Sequence, residues 1–258
     1  GYSPSTVARG LALGRTEMVG LIVPDLSNPS FQNVLSGLTT AAMRKGYRVL
    51  VAETRERPED ELELASEARR RCDALVLTPP RMSDDELRTL VDSSAPIVLI
   101  NRTLTGADRI ASVRTDHTAG LSALIEHLYA LGHRTMTYLA GPPQSRAHHE
   151  RLEAIALATL RHPELSITEV ACGYSFDDGA RLAQSFDPRT ATAVLAFNDL
   201  VALAFLGGIR ARGVAVPADV SVVGFGNIVF TQYSDPPLTT VSASETELGQ
   251  HAWRRLES

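Results

Sequence analysis

The stretch MVGLIVPDLSNPSF, Met18 to Phe31, decides the fold. Residues 18–23 are apolar or small at successive positions, not alternate ones, which marks a strand covered on both faces. A polar loop follows, and then a helical stretch at 31–45 completes a βα unit. The same rhythm predicts strands at 47–52, 74–77 and 97–100. It restarts after Asp116 with strands at 135–140, 167–172, 193–197 and 220–225. Helical stretches lie between them at 58–71, 84–93, 118–131, 147–160, 177–186 and 200–212. Repeated βα units imply parallel strands with right-handed crossovers. Pro58 ahead of Glu59, Asp60 and Glu61 suits a helix start. Gly46, Gly132 and Gly213 each close a helical run and fit left-handed caps.

The restart divides the chain into an α/β pair of similar, doubly wound parallel-sheet subdomains. The expected division is a leader at 1–16, a first subdomain at 17–115 joined by 245–258, and a second at 116–244. Two such halves are expected to hold a ligand cleft between them. In doubly wound sheets a ligand sits beyond the carboxyl ends of the strands. That rule selects Asp25 to Phe31, Glu53 to Arg55, Thr78 to Pro80, and Asn101 with Arg102 in the first half. In the second it selects Gly141 to Arg151, Gly173 to Phe176, Asn198 with Asp199, and Gly226 with Asn227. These segments are polar, aromatic or glycine-rich, as a selective small-molecule site requires.

Composition narrows the class. With 258 residues, 44% hydrophobic and 21% charged, the chain has the make-up of an ordinary globular protein. Its net charge of −5 argues against general nucleic-acid binding by the body. The leader GYSPSTVARGLALGRT carries Arg9 and Arg15 and no acid. No apolar run approaches the roughly 20 residues that span a bilayer, and the leader lacks the apolar core of an export signal. Cys72 and Cys172 lie far apart without metal-ligand spacing, which fits core thiols in a reducing compartment. A cytoplasmic protein is the expectation.

Motifs for catalysis are missing. Gly224-Phe225-Gly226-Asn227 lacks the third glycine of a dinucleotide fingerprint, and GPPQSR from Gly141 lacks the lysine and spacing of a phosphate loop. No nucleophile elbow or zincin helix occurs. His148 and His149 are adjacent, so they point to different sides of a helix and poorly suit one metal ion. A pocket-rim or pH-sensitive contact suits them better. No enzyme activity, cofactor or metal is expected.

Seven strings in register carry a resemblance: VARGL at Val7–Leu11, VGLIVPDLSNPSF at Val19–Phe31, EHLYALGHRTMTYLAGP at Glu126–Pro142, ERL at Glu150–Leu152, FNDLVAL at Phe197–Leu203, VPADVSVVGF at Val216–Phe225 and DPPLTTV at Asp235–Val241. Together they resemble the effector-binding core of the lactose-repressor (LacI/GalR) family of bacterial transcription regulators, over essentially the whole chain. The resemblance implies a small-molecule effector (a sugar, sugar derivative or other small metabolite), operator DNA read by a helix-turn-helix module N-terminal to this core, and a homodimer. It implies that Val7, Arg9 and Leu11 belong to a hinge helix that folds on DNA, with Leu11 wedged into the minor groove. Without DNA, Gly10 and Gly14 favour a disordered leader.

For the effector it implies that Arg151 hydrogen-bonds ligand oxygens, which suits its planar fork. Phe31 and Tyr174 match stacking aromatics, with core packing as the rival role. Asn198 matches a cleft asparagine, with helix capping as its rival. Asp25 lines the first wall of the cleft, Arg102 lines its mouth or forms an interface salt bridge, and Asn227 stands after the strand at 220–225. One position departs from the family. An aspartate usually follows the glycine–aromatic pair, and here Gly226 replaces it. Arg151 thereby loses a balancing acid, which makes a plain sugar less secure as effector and a carboxylate or phosphate ligand more plausible. A sugar-binding receptor of a transport system shares the expected fold and is the alternative reading.

Overall fold

The computed structural model describes residues 15–104, 106 and 110–257. The proposed hinge residues Val7, Arg9 and Leu11 lie outside the described residues. The chain forms two compact units: one runs to Thr115 and resumes at Ser244, and the other is Asp116–Ala243. Ser244 falls with the first unit and not, as expected, with the second. The reason is local, since its carbonyl accepts the Leu248 N–H and so opens the last helix.

Unit 1 contains β1 (Met18–Val23), α1 (Pro29–Met43), β2 (Arg48–Glu53), α2 (Pro58–Arg69), β3 (Ala74–Leu77), α3 (Asp84–Ser94), β4 (Ile97–Ile100), β5 (Ala111–Val113) and the returning α8 (Glu245–Glu257). Its parallel sheet has the order β2-β1-β3-β4-β5. Unit 2 contains α4 (His117–Ala130), β6 (Thr135–Ala140), α5 (Arg146–Arg161), β7 (Ser166–Ala171), α6 (Phe176–Ser185), β8 (Ala193–Ala196), α7 (Asp199–Ala211), β9 (Ser221–Gly226), a 3₁₀ turn (Val229–Tyr233) and β10 (Thr239–Ser242). Its parallel sheet has the order β10-β9-β8-β6-β7. Renumbered within its own unit, the second order is the first one reversed, so the two topologies are the same.

The apolar strands are covered on both faces, as their sequences require. In β1, Val19, Leu21 and Val23 face α1 and α8, while Ile22 joins the cluster under α2 and α3. In unit 2, Tyr138 and Phe225 pack on the α4–α5 side, while Leu139 and Val194 pack with α6 and α7. The helices start where local chemistry supplies N–H acceptors. Ser83 with Glu86, and Ser175 with Asp178, form complete capping boxes at α3 and α6. Gly46, Gly132 and Gly213 follow their helices at positive φ, the left-handed caps expected of them. No helix among the described residues is long and apolar enough to cross a membrane.

Candidate functional site

Each strand order reverses direction once. The chain leaves β1 and β6 to one side, and then crosses back to β3 and β8 on the other. Beyond the carboxyl ends of these adjacent strands the connections diverge, which is where doubly wound sheets as a class bind their ligands. In unit 2 this switch point lies between Gly141, just past β6, and Phe197, just past β8.

Arg151, in the second turn of α5, is 4% exposed and packs onto this point. Its guanidinium carbon lies 4.5 Å from the ring centroid of Phe197 and 4.1 Å from that of Phe225. Both rings are seated against glycines. A Cβ on Gly141 would come within 2.4 Å of the Phe197 ring, and one on Gly120 within 2.8 Å of the Phe225 ring. The aromatic clamp therefore depends on small residues in β6's exit loop and in α4. Such cation–aromatic contacts recover part of the cost of burying a charge.

They do not complete the hydrogen bonding. Among the described residues, Nε and Nη1 of Arg151 are buried without a hydrogen-bond partner, and the nearby acid Glu150 pairs with His117 and Arg146 instead. Burial pulls its pKa below the ordinary value, opposed by the Tyr138 hydroxyl and by the charges of Glu150 and Asp199. Those acids are engaged elsewhere. Glu150 Oε2 lies 3.0 Å from His117 Nδ1, and the His117 ring stacks on Phe225. Asp199 accepts from the Thr240 hydroxyl at 2.6 Å and the Ile228 N–H at 2.9 Å, while burial pushes its carboxyl up. Tyr138 also lies 3.3 Å from His148 Nδ1, and His148 Nε2 is 3.5 Å from Glu169. His148 is thus buried at this end of the unit and not at a rim.

The other residues singled out in unit 2 sit at the same end. Asn198 caps α7, its Oδ1 accepting from the Val201 N–H at 2.8 Å, and its Nδ2 donates to the Tyr174 carbonyl at 2.8 Å. Its polar atoms thus fix α7 and the β7–α6 loop, the capping role that rivalled the ligand role. Tyr174 is half-buried, and Asn227 is exposed with φ of 57°. Among the described residues, no group of three or more His, Cys, Asp or Glu side chains is placed to hold a metal ion.

Unit 1 presents a different surface at its corresponding end. Arg81 and Glu56 form a buried bidentate pair, at 2.8 and 3.0 Å, with both side chains under a tenth exposed. Glu61 accepts the N–H groups of Arg81 and Met82 at 2.7 and 2.6 Å; burial raises its carboxyl pKa against those bonds. Arg102 donates to the Pro80 and Met82 carbonyls and to Asp84, the last at 2.6 Å. This ion pair lies within unit 1. Asp25 accepts the Ser27 N–H, closing its own loop, and Phe31 is half-buried against the unit-1 core.

Residues 125–258 match the family model described as a periplasmic binding protein-like domain. The chain is 31% identical to the transcriptional regulator AscG of Escherichia coli K12, over 99% of this chain and 78% of that protein. It is 28% identical to the transcriptional repressor CytR of the same organism, over 98% and 75%. Among solved structures, the lac repressor dimer bound to operator and the anti-inducer ONPF superposes with a TM-score of 0.88 at 26% identity, covering 100% of this chain and 91% of that one.

The chain belongs to the LacI family of transcription regulators.

Its relatives are regulators and not transport receptors, so the receptor alternative gives way. In this LacI-family core the arginine of ERL, Arg151, is buried, and its surroundings are the rings described above. Phe197, Phe225 and Tyr138 were not singled out from sequence, although each lies in a quoted family string. The available signal was position: Phe197 and Phe225 stand at or just past the ends of β8 and β9, where the carboxyl-end rule looks.

Proposed function

We propose that this chain is the effector-sensing core of a DNA-binding regulator, a repressor acting as a homodimer in the cytoplasm. A small metabolite binds at the carboxyl ends of the parallel strands, with Arg151 as its anchor. The observation that carries this reading is the buried guanidinium with two partnerless nitrogens at the switch point of unit 2. Tyr174 and Asn227 supply further contacts from the same end of unit 2. Asn198 holds the loop that carries Tyr174, and Arg102 braces the segment after β3 in unit 1. The site binds and does not catalyse. Two free, well-separated cysteines agree with a reducing compartment.

Effector binding changes operator affinity only through a difference in its affinity for the two regulatory states. That coupling is reciprocal: operator must alter effector affinity by the same factor. A thermal-shift screen of sugars, sugar acids, sugar phosphates and nucleobases tests the assignment, because a ligand of the folded state alone raises apparent stability. The expected result is a stabilising compound whose effect disappears in Arg151→Met. A compound that stabilises wild type and Arg151→Met equally overturns the site.

A further inference from the structure

Resting on that site, we propose that the effector carries an oxyanion, a carboxylate or phosphoryl group, and that this group docks on Arg151. The argument is one of unbalanced charge. A guanidinium is never deprotonated in a protein, so burial cannot neutralise it. A buried charge without a counter-ion is costly, and each buried donor without an acceptor adds to that cost. Among the described residues Arg151 has both deficits: no ion pair, and no acceptor at Nε or Nη1.

The surroundings do not supply the missing anion. The faces of the guanidinium are taken by Phe197 and Phe225, which offer weak attraction and no acceptor. Tyr138 provides a neutral hydroxyl, its own ionisation pushed up by burial. Glu150 is held by His117 and Arg146. Asp199 holds the start of the 3₁₀ turn and β10 through Ile228 and Thr240. At the end of β9 the chain has Gly226, followed by Asn227, and neither carries a charge. By contrast, the buried Arg81 of unit 1 has its carboxylate within the chain. A neutral sugar would satisfy the donors and leave the charge. An oxyanion satisfies both, through charge-assisted bonds about twice as strong as neutral ones.

The test measures thermal midpoints of the 258-residue chain in inorganic phosphate, acetate, gluconate and glucose 6-phosphate. Glucose and chloride at matched ionic strength are the controls. Wild type is expected to gain at least about 2 °C with one or more oxyanions beyond the chloride control. Arg151→Met should lose that gain, and Arg151→Lys, which keeps the charge but not the fork, should keep a smaller one. Acetate with gluconate, against phosphate with glucose 6-phosphate, separates the carboxylate source from the phosphoryl source. No gain with any oxyanion overturns the inference. A gain with glucose alone that vanishes in Arg151→Met overturns the anionic class but leaves the site standing. Equal gains in wild type and both variants overturn the site itself.

Discussion

At the carboxyl end of unit 1, buried charges find partners within the chain: Arg81 with Glu56 and Glu61 with two backbone N–H groups, while the half-buried Arg102 reaches two carbonyls and the exposed Asp84. At the same end of unit 2, Arg151 is gripped by two aromatic rings and finds no carboxylate. The strand order is the same in both units, so topology brings charged groups to one place twice. What differs is whether the chain completes the pairing. A completed pair braces a loop. On the proposed reading, an incomplete one leaves donors for a group from outside.

The contrast breaks most visibly if a closed pair is opened. Removing the carboxylate in Glu56→Ala leaves Arg81 buried and unpaired, a change that typically costs about 3–5 kcal/mol. Trp253, the sole tryptophan, is buried in the unit-1 core beside Tyr47, so its emission follows unit 1 through a urea titration. Its midpoint should fall steeply in Glu56→Ala. An unchanged midpoint would mean that the pair braces nothing.

The clamp of unit 2 offers the next effect in size. Gly141→Ala places a methyl group against the Phe197 ring, and overpacking of this kind costs about 1–3 kcal/mol. Phe197 must swing away from Arg151, so effector affinity should fall together with stability. Ligand binding that survives a measurable loss of stability would detach the clamp from the site.

A smaller effect separates the units by pH. Six of the seven histidines lie in unit 2, and burial depresses the pKa values of His117, His133 and His148. A depressed imidazole binds its proton less well when folded. Its contribution is therefore complete above the ordinary histidine pKa, and is lost as pH falls from that value through the depressed one. Glu61 and Asp199, raised by burial, act oppositely, since protonation there favours the folded state; their contribution is lost as pH rises through the raised values. One sits in each unit, so the histidines set the difference between units. On acidification from neutrality, far-UV ellipticity should show a transition that Trp253 emission does not follow at first. Coincident loss of both signals would contradict this.

The two units also differ in how far their sites could be read from sequence. Strands β1, β3, β4 and β6 coincide with their predicted runs because central parallel strands are apolar throughout. The short edge strands β5 and β10 went unread: they are partly exposed, pair on one side only, and show no such run. Arg151 was legible through the family string that contains it. Its isolation was not, because Phe197, Phe225 and Tyr138 come from three strands, or the residue just past one, that only the tertiary fold unites. Asn198 was ambiguous because a capping asparagine and a ligand asparagine look alike in sequence. Arg102 was ambiguous because its partners at Pro80, Met82 and Asp84 depend on a loop crossing from β3.

The smallest expected effect is the sharpest test of the comparison. Arg151→Met replaces a buried, unpaired cation with an apolar chain of similar length. Exchanging buried ionic groups for apolar ones of similar volume is often neutral or stabilising, and the loss of two cation–aromatic contacts, about 0.5–2 kcal/mol each, works against that gain. The two contributions nearly cancel, so the ligand-free chain should keep its stability within about 1 kcal/mol in urea titrations. The same exchange at Arg81 in unit 1 strands Glu56 and should cost several-fold more. Equal losses at the two positions would mean that Arg151 is paired within the fold after all. A neutral change at Arg151 beside a large one at Arg81 would show that unit 1 uses its buried arginine for folding, while unit 2 holds its own for a ligand.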